Sequence, residues 1–316
     1  MVLAQASKHI SSKKVGAETR TSDGGSAMAG RGRPKGPGSS LRSRWLGERL
    51  RGLREAAAIS TVEVAEFLQR DRSVVGRYET GDYPIRRADV YALLTYYGVE
   101  DKKTRETLLE LCEDVWRKGW WDPYKKEVTK DFIDLPWLES RTDGLCTYQN
   151  MVIHGLLQTR AYAETVIRKA EEGAGEEQIQ RWVDLRLGRQ AILAGDGALR
   201  YTMVIEEPVL HRPIGGAAVM DEQLKYLLDL GERKNIEVRV LPTAHGPHSG
   251  HLGSFELFVM PEQFTDVAYV ETLGGALFVE SPDVDRFEFA WQDVSKAALD
   301  PKRSAALIKT ILKETK

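Results

Sequence analysis

Between residues 61 and 77 the chain gathers Thr61, Arg70, Arg72, Ser73, Val74 and Arg77, side chains suited to a polyanion and to the edges of nucleobases. A guanidinium can give two parallel hydrogen bonds to O6 and N7 of guanine, and Arg72, at the start of a short helix, is placed for that contact. Ser73 and Val74 beside it would face neighbouring base edges. Arg70 and Arg77 suit phosphates. So does Thr61, which would present a hydroxyl and a backbone N–H at the start of the preceding helix. A second basic group, Arg31, Arg33 and Lys35, lies in Gly30-Arg31-Gly32-Arg33-Pro34-Lys35-Gly36. Glycine and proline keep such a segment thin, so its cations could enter the narrow minor groove of A·T-rich DNA. A basic linker that meets phosphates non-specifically would read the same way.

Other clusters carry less. His245, His248 and His251 are three apart and could converge on a metal. Their segment is Gly/Pro-rich, lies between two strands and has no cysteine or acid interleaved, so it reads as a loop. Glu206 and Glu207, with Arg186 and Arg189 on a preceding helix, could form a polar pocket. Acid–base work there would need one carboxyl with a raised pKa, and plain ion pairs explain the same residues. There is no Gly-x-Ser-x-Gly, phosphate loop or dinucleotide fingerprint. No catalytic residue, metal or cofactor is assigned, and the chain is expected not to be an enzyme.

The elements that must hold the first cluster are short. Ser60 caps one helix and Glu63 closes a capping box. Val64, Ala65 and Leu68 share its inner face. Asp71 caps the next, on which Val75 and Tyr78 turn inward, and Gly81 ends it in the left-handed region. Leu46, Leu50 and Leu53 on a helix over 44–57 complete the core. Helices follow at 88–97 and 101–118, and the aromatics from Trp116 to Trp121 suggest a core between domains.

This arrangement resembles the helix-turn-helix of the Cro and lambda-repressor class, the xenobiotic-response-element type. Ala65, Val75 and the run Arg77-Tyr78-Glu79-Thr80-Gly81 carry the resemblance. Thr61, Gln69, Arg70 and Gly76 depart from residues usual in that class (Gln, Gly, an aliphatic and Ser). Arg31-Gly32-Arg33-Pro34 is similar to the core of an AT-hook. Beyond residue 100, Gly155-Leu156-Leu157-Gln158-Thr159 with Tyr162-Ala163 resembles an antitoxin-like C-terminal domain of unknown function found in actinobacterial helix-turn-helix regulators. Arg186 to Gln190, Glu207, Gln223-Leu224, Val240-Leu241-Pro242, Gly253 and Tyr269-Val270-Glu271 agree in order and spacing, while Arg160 stands where Pro is common. The resemblance implies a transcriptional regulator that binds double-stranded DNA, often encoded beside a small protein that it may bind. The one recognition helix reads few base pairs, which predicts a homodimer on an inverted repeat. The alternative is an antitoxin-like interaction module whose DNA binding is only autoregulatory.

At 316 residues the chain is expected to hold several domains. Residues 1–44 carry nine Lys/Arg against Glu18 and Asp23, and 45–100 carry eight basic against nine acidic residues. With −2 overall, the remainder is −8, so one end is built to meet a polyanion. The expected organisation is a disordered basic arm at 1–43, a helix-turn-helix domain at 44–100, a helical connector at 101–131 and an α+β domain at 132–316. The fold class is thus multidomain, all-α followed by α+β with a mostly antiparallel sheet. Its strands are expected at 199–206, 236–241, 254–260, 267–272 and 275–280, and its helices at 136–143, 160–172, 176–194, 218–231, 284–298 and 302–314. Met28 offers an alternative start. Two cysteines, Cys112 and Cys146, and no apolar run near ~20 residues point to a reduced cytoplasm, at the nucleoid, and not to a membrane.

Overall fold

The computed structural model describes residues 40–124, 128, 130–262 and 264–314, in two compact units divided after Trp116. Arg31, Arg33 and Lys35, like Met28, lie outside the described residues.

The first unit is helical. Helix α1 (Leu41–Ala56) starts earlier than its leucine stripe implies, because Ser40 Oγ accepts the Ser43 N–H at 3.3 Å and caps it. Leu41 and Arg42 are buried, and Arg42 Nη1 donates to the Asp114 carbonyl at 3.0 Å. Residues 41–43 are therefore helix and not part of a disordered arm. Helix α2 (Thr61–Leu68) has the expected box: Ser60 Oγ accepts from Glu63 N at 3.2 Å, and Glu63 Oε2 accepts from Ser60 N at 2.8 Å. Helix α3 (Arg72–Glu79) is capped by Asp71, whose Oδ1 accepts from Ser73 N at 2.7 Å. Helices α4 (Arg87–Tyr96) and α5 (Lys102–Trp116) close the bundle with Val90, Leu93, Leu94, Leu108, Leu111 and Cys112. Because α5 packs on α1 and α4, it belongs to the helical unit, where the sequence was read as starting a connector.

The second unit contains α6 (Lys130–Arg141), β1 (Gly144–Gln149), α7 (Arg160–Ala170), α8 (Glu176–Arg189), β2 (Arg200–Glu206), α9 (Glu207–His211), α10 (Ala217–Leu230), β3 (Ile236–Leu241), β4 (Phe255–Val259), β5 (Val267–Thr272), β6 (Gly275–Val279), α11 (Asp285–Ala297) and α12 (Pro301–Glu314). The sheet order is β3-β2-β1-β4-β5-β6. Three of its five pairings are antiparallel (β1/β4, β4/β5, β5/β6), and β1/β2 and β2/β3 are parallel. The α+β class and the mostly antiparallel sheet are as the sequence suggests. Strand β1, in the middle of the sheet, is not among the expected strands.

Side chains alternate across the strands. Tyr148, Val204, Phe255 and Leu257 face α11, packing with Val294, Phe287 and Trp291. Thr147, Gln149, Tyr201, Glu256 and Tyr269 take the opposite face by alternation. Thr147 and Tyr201 share a hydrogen bond of 2.8 Å there.

The tryptophans of the stretch from Trp116 to Trp121 make contacts within their own units. Trp116 Nε1 donates to the Ile85 carbonyl at 2.8 Å. Trp120 lies over Gly188 and meets Trp121 edge to face, ring centres 5.9 Å apart.

Candidate nucleic-acid interface

Between α2 and α3 the chain turns in three residues. Gln69 takes the left-handed conformation (φ 53°, ψ 47°), Arg70 N donates to the Ala65 carbonyl at 2.9 Å, and Asp71 starts the next helix. Bonding from the second residue past the helix back to its last turn is a Schellman closure. Gln69 stands in a conformation that glycine would enter freely.

Helix α3 is held from below. Val75 and Tyr78 are 2% and 6% exposed, against Val64 and Ala65, which are also buried. Its C-terminal end is clamped to α1 in two ways. Arg54 Nε donates to Glu79 Oε1 at 2.6 Å and Nη2 to Oε2 at 3.1 Å, while Nη1 reaches the Ile59 carbonyl at 2.9 Å. The Glu79 hydrogen bond outweighs burial and raises the Arg54 pKa, so this two-point pair stays ionised. Gly47 lets the helices touch: a Cβ there would stand 2.4 Å from the Tyr78 carbonyl oxygen. Gly81, at φ 75°, lies against the backbone of Ser43 and Arg44. Of the Arg-Tyr-Glu-Thr-Gly run, then, Tyr78, Glu79 and Gly81 fix α3 in place. The sequence did not reveal Arg54 or Gly47, because the partners lie 25 or more residues apart and no local spacing links them.

What remains outward is the predicted cluster. Arg70, Arg72, Ser73 and Arg77 are exposed, while Thr61 and Val74 are half-buried. The structure joins two of them: Arg72 Nε donates to Thr61 Oγ1 at 3.2 Å. The first residues of α2 and α3 thus sit side by side, with a guanidinium over the junction. Arg77 lies over the exposed Tyr83 ring, 5.4 Å from its centre. The arrangement offers three cations and two helix N-termini on one side of a rigid scaffold, the chemistry that phosphates and base edges require.

In the second unit Glu206 and Glu207 meet neither Arg186 nor Arg189, so these four form neither the polar pocket nor the plain ion pairs between which the sequence left them. Glu206 Oε1 accepts from the Tyr148 hydroxyl at 2.6 Å and meets His248 Nε2 at 3.0 Å. Glu207 Oε2 accepts from Thr243 N at 2.9 Å. The two arginines point to another place, a cavity on the sheet face away from α11. Among the described residues no group of three or more His, Cys, Asp or Glu is placed to hold a metal. His248 uses both ring nitrogens, Nδ1 accepting from Gly250 N at 3.2 Å, and His251 Nδ1 contacts the His248 carbonyl. Thr159 caps α7, accepting from Tyr162 N at 3.4 Å. No helix is long and apolar enough to cross a membrane among the described residues.

A family model described as a helix-turn-helix domain matches residues 45–108, the span of α1 to α4 and the first half of α5. A search of the curated proteins finds no match, and neither does a search of the solved structures. A second family model, described as a domain of unknown function (DUF5753), matches residues 132–310, more than half of the chain, and the chain belongs to that family.

Proposed function

We propose that this protein is a sequence-specific, non-catalytic DNA-binding transcriptional regulator of the Cro and lambda-repressor type. Helix α3 enters the major groove by its N-terminal end, Arg72 takes a guanine, Ser73 and Val74 lie along neighbouring base edges, and Arg70, Arg77 and Thr61 hold phosphates. The observation that carries this reading is the capped, clamped α3 with Arg72 resting on Thr61. Such pre-organisation keeps the reading residues fixed while leaving them exposed. Two copies would bind an inverted repeat with half-site centres ~34 Å apart, and the family domain would supply dimer or effector contacts.

A gel-shift titration on the DNA upstream of the protein's own gene, beside random DNA, tests it. Arg72→Ala is expected to lose roughly 1–3 kcal/mol of discrimination. Arg70→Ala should weaken both DNAs alike and reduce the salt slope by about one. Equal wild-type affinity for the two DNAs would defeat the proposal.

A second reading, an antitoxin-like module that binds a small protein, is favoured by Leu273 and Leu277 on the β5–β6 hairpin, which are 87% and 57% exposed. Co-purification with the product of an adjacent small gene, lost in Leu277→Asp, is the outcome it requires.

A further inference from the structure

The cavity in the second unit has apolar walls that include Phe132, Ile153 and Val166, with Arg186, Arg189 and Glu256 supplying charge; its volume is about 100 Å³. The charged groups inside are not equally matched. Arg189 Nε donates to Glu139 Oε1 at 3.1 Å and Oε2 at 3.0 Å, and Nη2 also reaches Oε1. Glu256 Oε1 meets His154 Nε2 at 3.1 Å. Burial works against the Glu256 carboxylate, but His154 and Arg189 together hold it below the usual range. Each buried glutamate therefore has its own partner.

Arg186 has a neutral one. Its Nη1 donates to Gln158 Oε1 at 2.9 Å, and among the described residues no carboxylate meets it. Gln158 is itself fixed, since its Nε2 donates to the Ile153 carbonyl at 2.6 Å and its own carbonyl accepts from Gln190 Nε2 at 2.7 Å. The guanidinium is thus held in place by a rigid amide that does not neutralise it. Burial, and then the neighbouring Arg189 charge, bring its pKa down to about 10, so at neutral pH it remains a cation with a second cation as its charged neighbour. Arg186 is half-buried; a partly desolvated cation without a counter-charge is costly, and an incoming anion relieves that cost.

We propose that this cavity is a binding site for a small organic monocarboxylate, its carboxylate on Arg186 and its apolar body against Phe132, Ile153 and Val166. A planar guanidinium fits a carboxylate through two parallel hydrogen bonds. The buried Glu139 and Glu256, with the exposed Glu271 also lining the cavity, oppose a dianion such as phosphate. The apolar walls favour a ligand with a hydrocarbon or aromatic body over a bare inorganic ion.

The test uses the full chain without DNA, so its outcome is separate from that of the gel shift. Thermal shift and calorimetric titration are run with benzoate, phenylacetate and isovalerate, each beside its neutral amide, and with inorganic phosphate. At least one carboxylate should bind and raise the melting temperature, while its amide and phosphate do not. Arg186→Gln should weaken that carboxylate roughly tenfold or more. Val166→Phe, which fills the cavity from its apolar side, should also abolish binding, and it keeps the proposal testable if Arg186→Gln does not fold. Failure of every carboxylate, equal binding of acid and amide, tighter binding of phosphate, or binding unchanged in Val166→Phe would overturn the proposal.

Discussion

Replacing Gly47 by alanine should unseat the reading helix without touching any residue that faces outward. The added Cβ would lie 2.4 Å from the Tyr78 carbonyl oxygen and 2.7 Å from that of Glu79. Both obstacles are backbone, so no side chain can swing aside. Restoring ordinary contact, with separations of about 3.5 Å, requires α3 to withdraw from α1 by up to ~1 Å. Overpacking of this kind costs about 1–3 kcal/mol. Alanine also gains about 0.5–1 kcal/mol over glycine inside a helix, which would hide part of the loss. Gly52, on the same helix, supplies the control, because a Cβ there meets nothing within 4 Å. Gly52→Ala takes the propensity gain alone, so the difference between the two variants isolates the steric cost. Hydrogen exchange read by mass spectrometry on peptides covering 72–79 should show faster opening in Gly47→Ala and equal or slower opening in Gly52→Ala. Affinity for DNA should fall in the first and hold in the second. Protection of α3 in Gly47→Ala equal to that in Gly52→Ala would refute the close crossing and the clamp built on it.

Gln69→Gly should stabilise the helical unit by about 0.5–1 kcal/mol, since the residue sits at φ 53° and pays the left-handed penalty that glycine avoids; urea denaturation checks it. Glu79→Gln takes from the Arg54 guanidinium, whose side chain is 10% exposed, the carboxylate that holds it by two bonds, leaving the amide oxygen, the Ile59 carbonyl and the Glu55 carboxylate at 3.3 Å; it should cost roughly 1–2 kcal/mol, read in the melting of the helical unit. The Asp71 carboxyl is held below the usual range by its hydrogen bonds from Ser73. A carboxyl depressed in the folded state contributes its full stabilisation above the unfolded value and loses it as pH falls through the folded one. The start of α3 should therefore fray in acid, below about pH 4, and Asp71→Asn, which keeps a neutral cap, should remove that pH dependence in amide-exchange or NMR measurements.

Much of the fold could be read from local chemistry. Ser60, Glu63 and Asp71 announce helix starts because capping is a matter of side chains bonding to backbone within three residues. The hairpin of β5 and β6 is announced by Gly274-Gly275 in the same way. Strand β1, parallel to β2 and antiparallel to β4, escaped because a strand buried on both faces is recognised by a continuous apolar run. Gly144-Leu145-Cys146-Thr147-Tyr148-Gln149 breaks that run at Thr147 and Gln149. Those two face the sheet surface that carries Tyr201 and Glu256, polar groups set among buried Met203, Ile205 and Phe258. Thr147 bonds to Tyr201 and Gln149 lines the cavity, partners that only the folded sheet supplies.

The two candidate sites differ in legibility for the same reason. The interface of α2 and α3 is made by residues within one stretch from Thr61 to Arg77, so spacing alone assembles it, and the structure adds only the clamp from Arg54 and Gly47. The cavity draws on α6, the loop 152–158, α8, β4 and β5, which only the folded sheet brings together. The sequence grouped Arg186 and Arg189 with Glu206 and Glu207, either as a polar pocket or as plain ion pairs. Tertiary structure gives those glutamates to Tyr148, His248 and Thr243, gives Glu139 to Arg189, and leaves Arg186 on an amide. Which cation keeps a free charge is therefore decided by what α6 and the loop 152–158 bring to α8, a relation that no local pattern encodes.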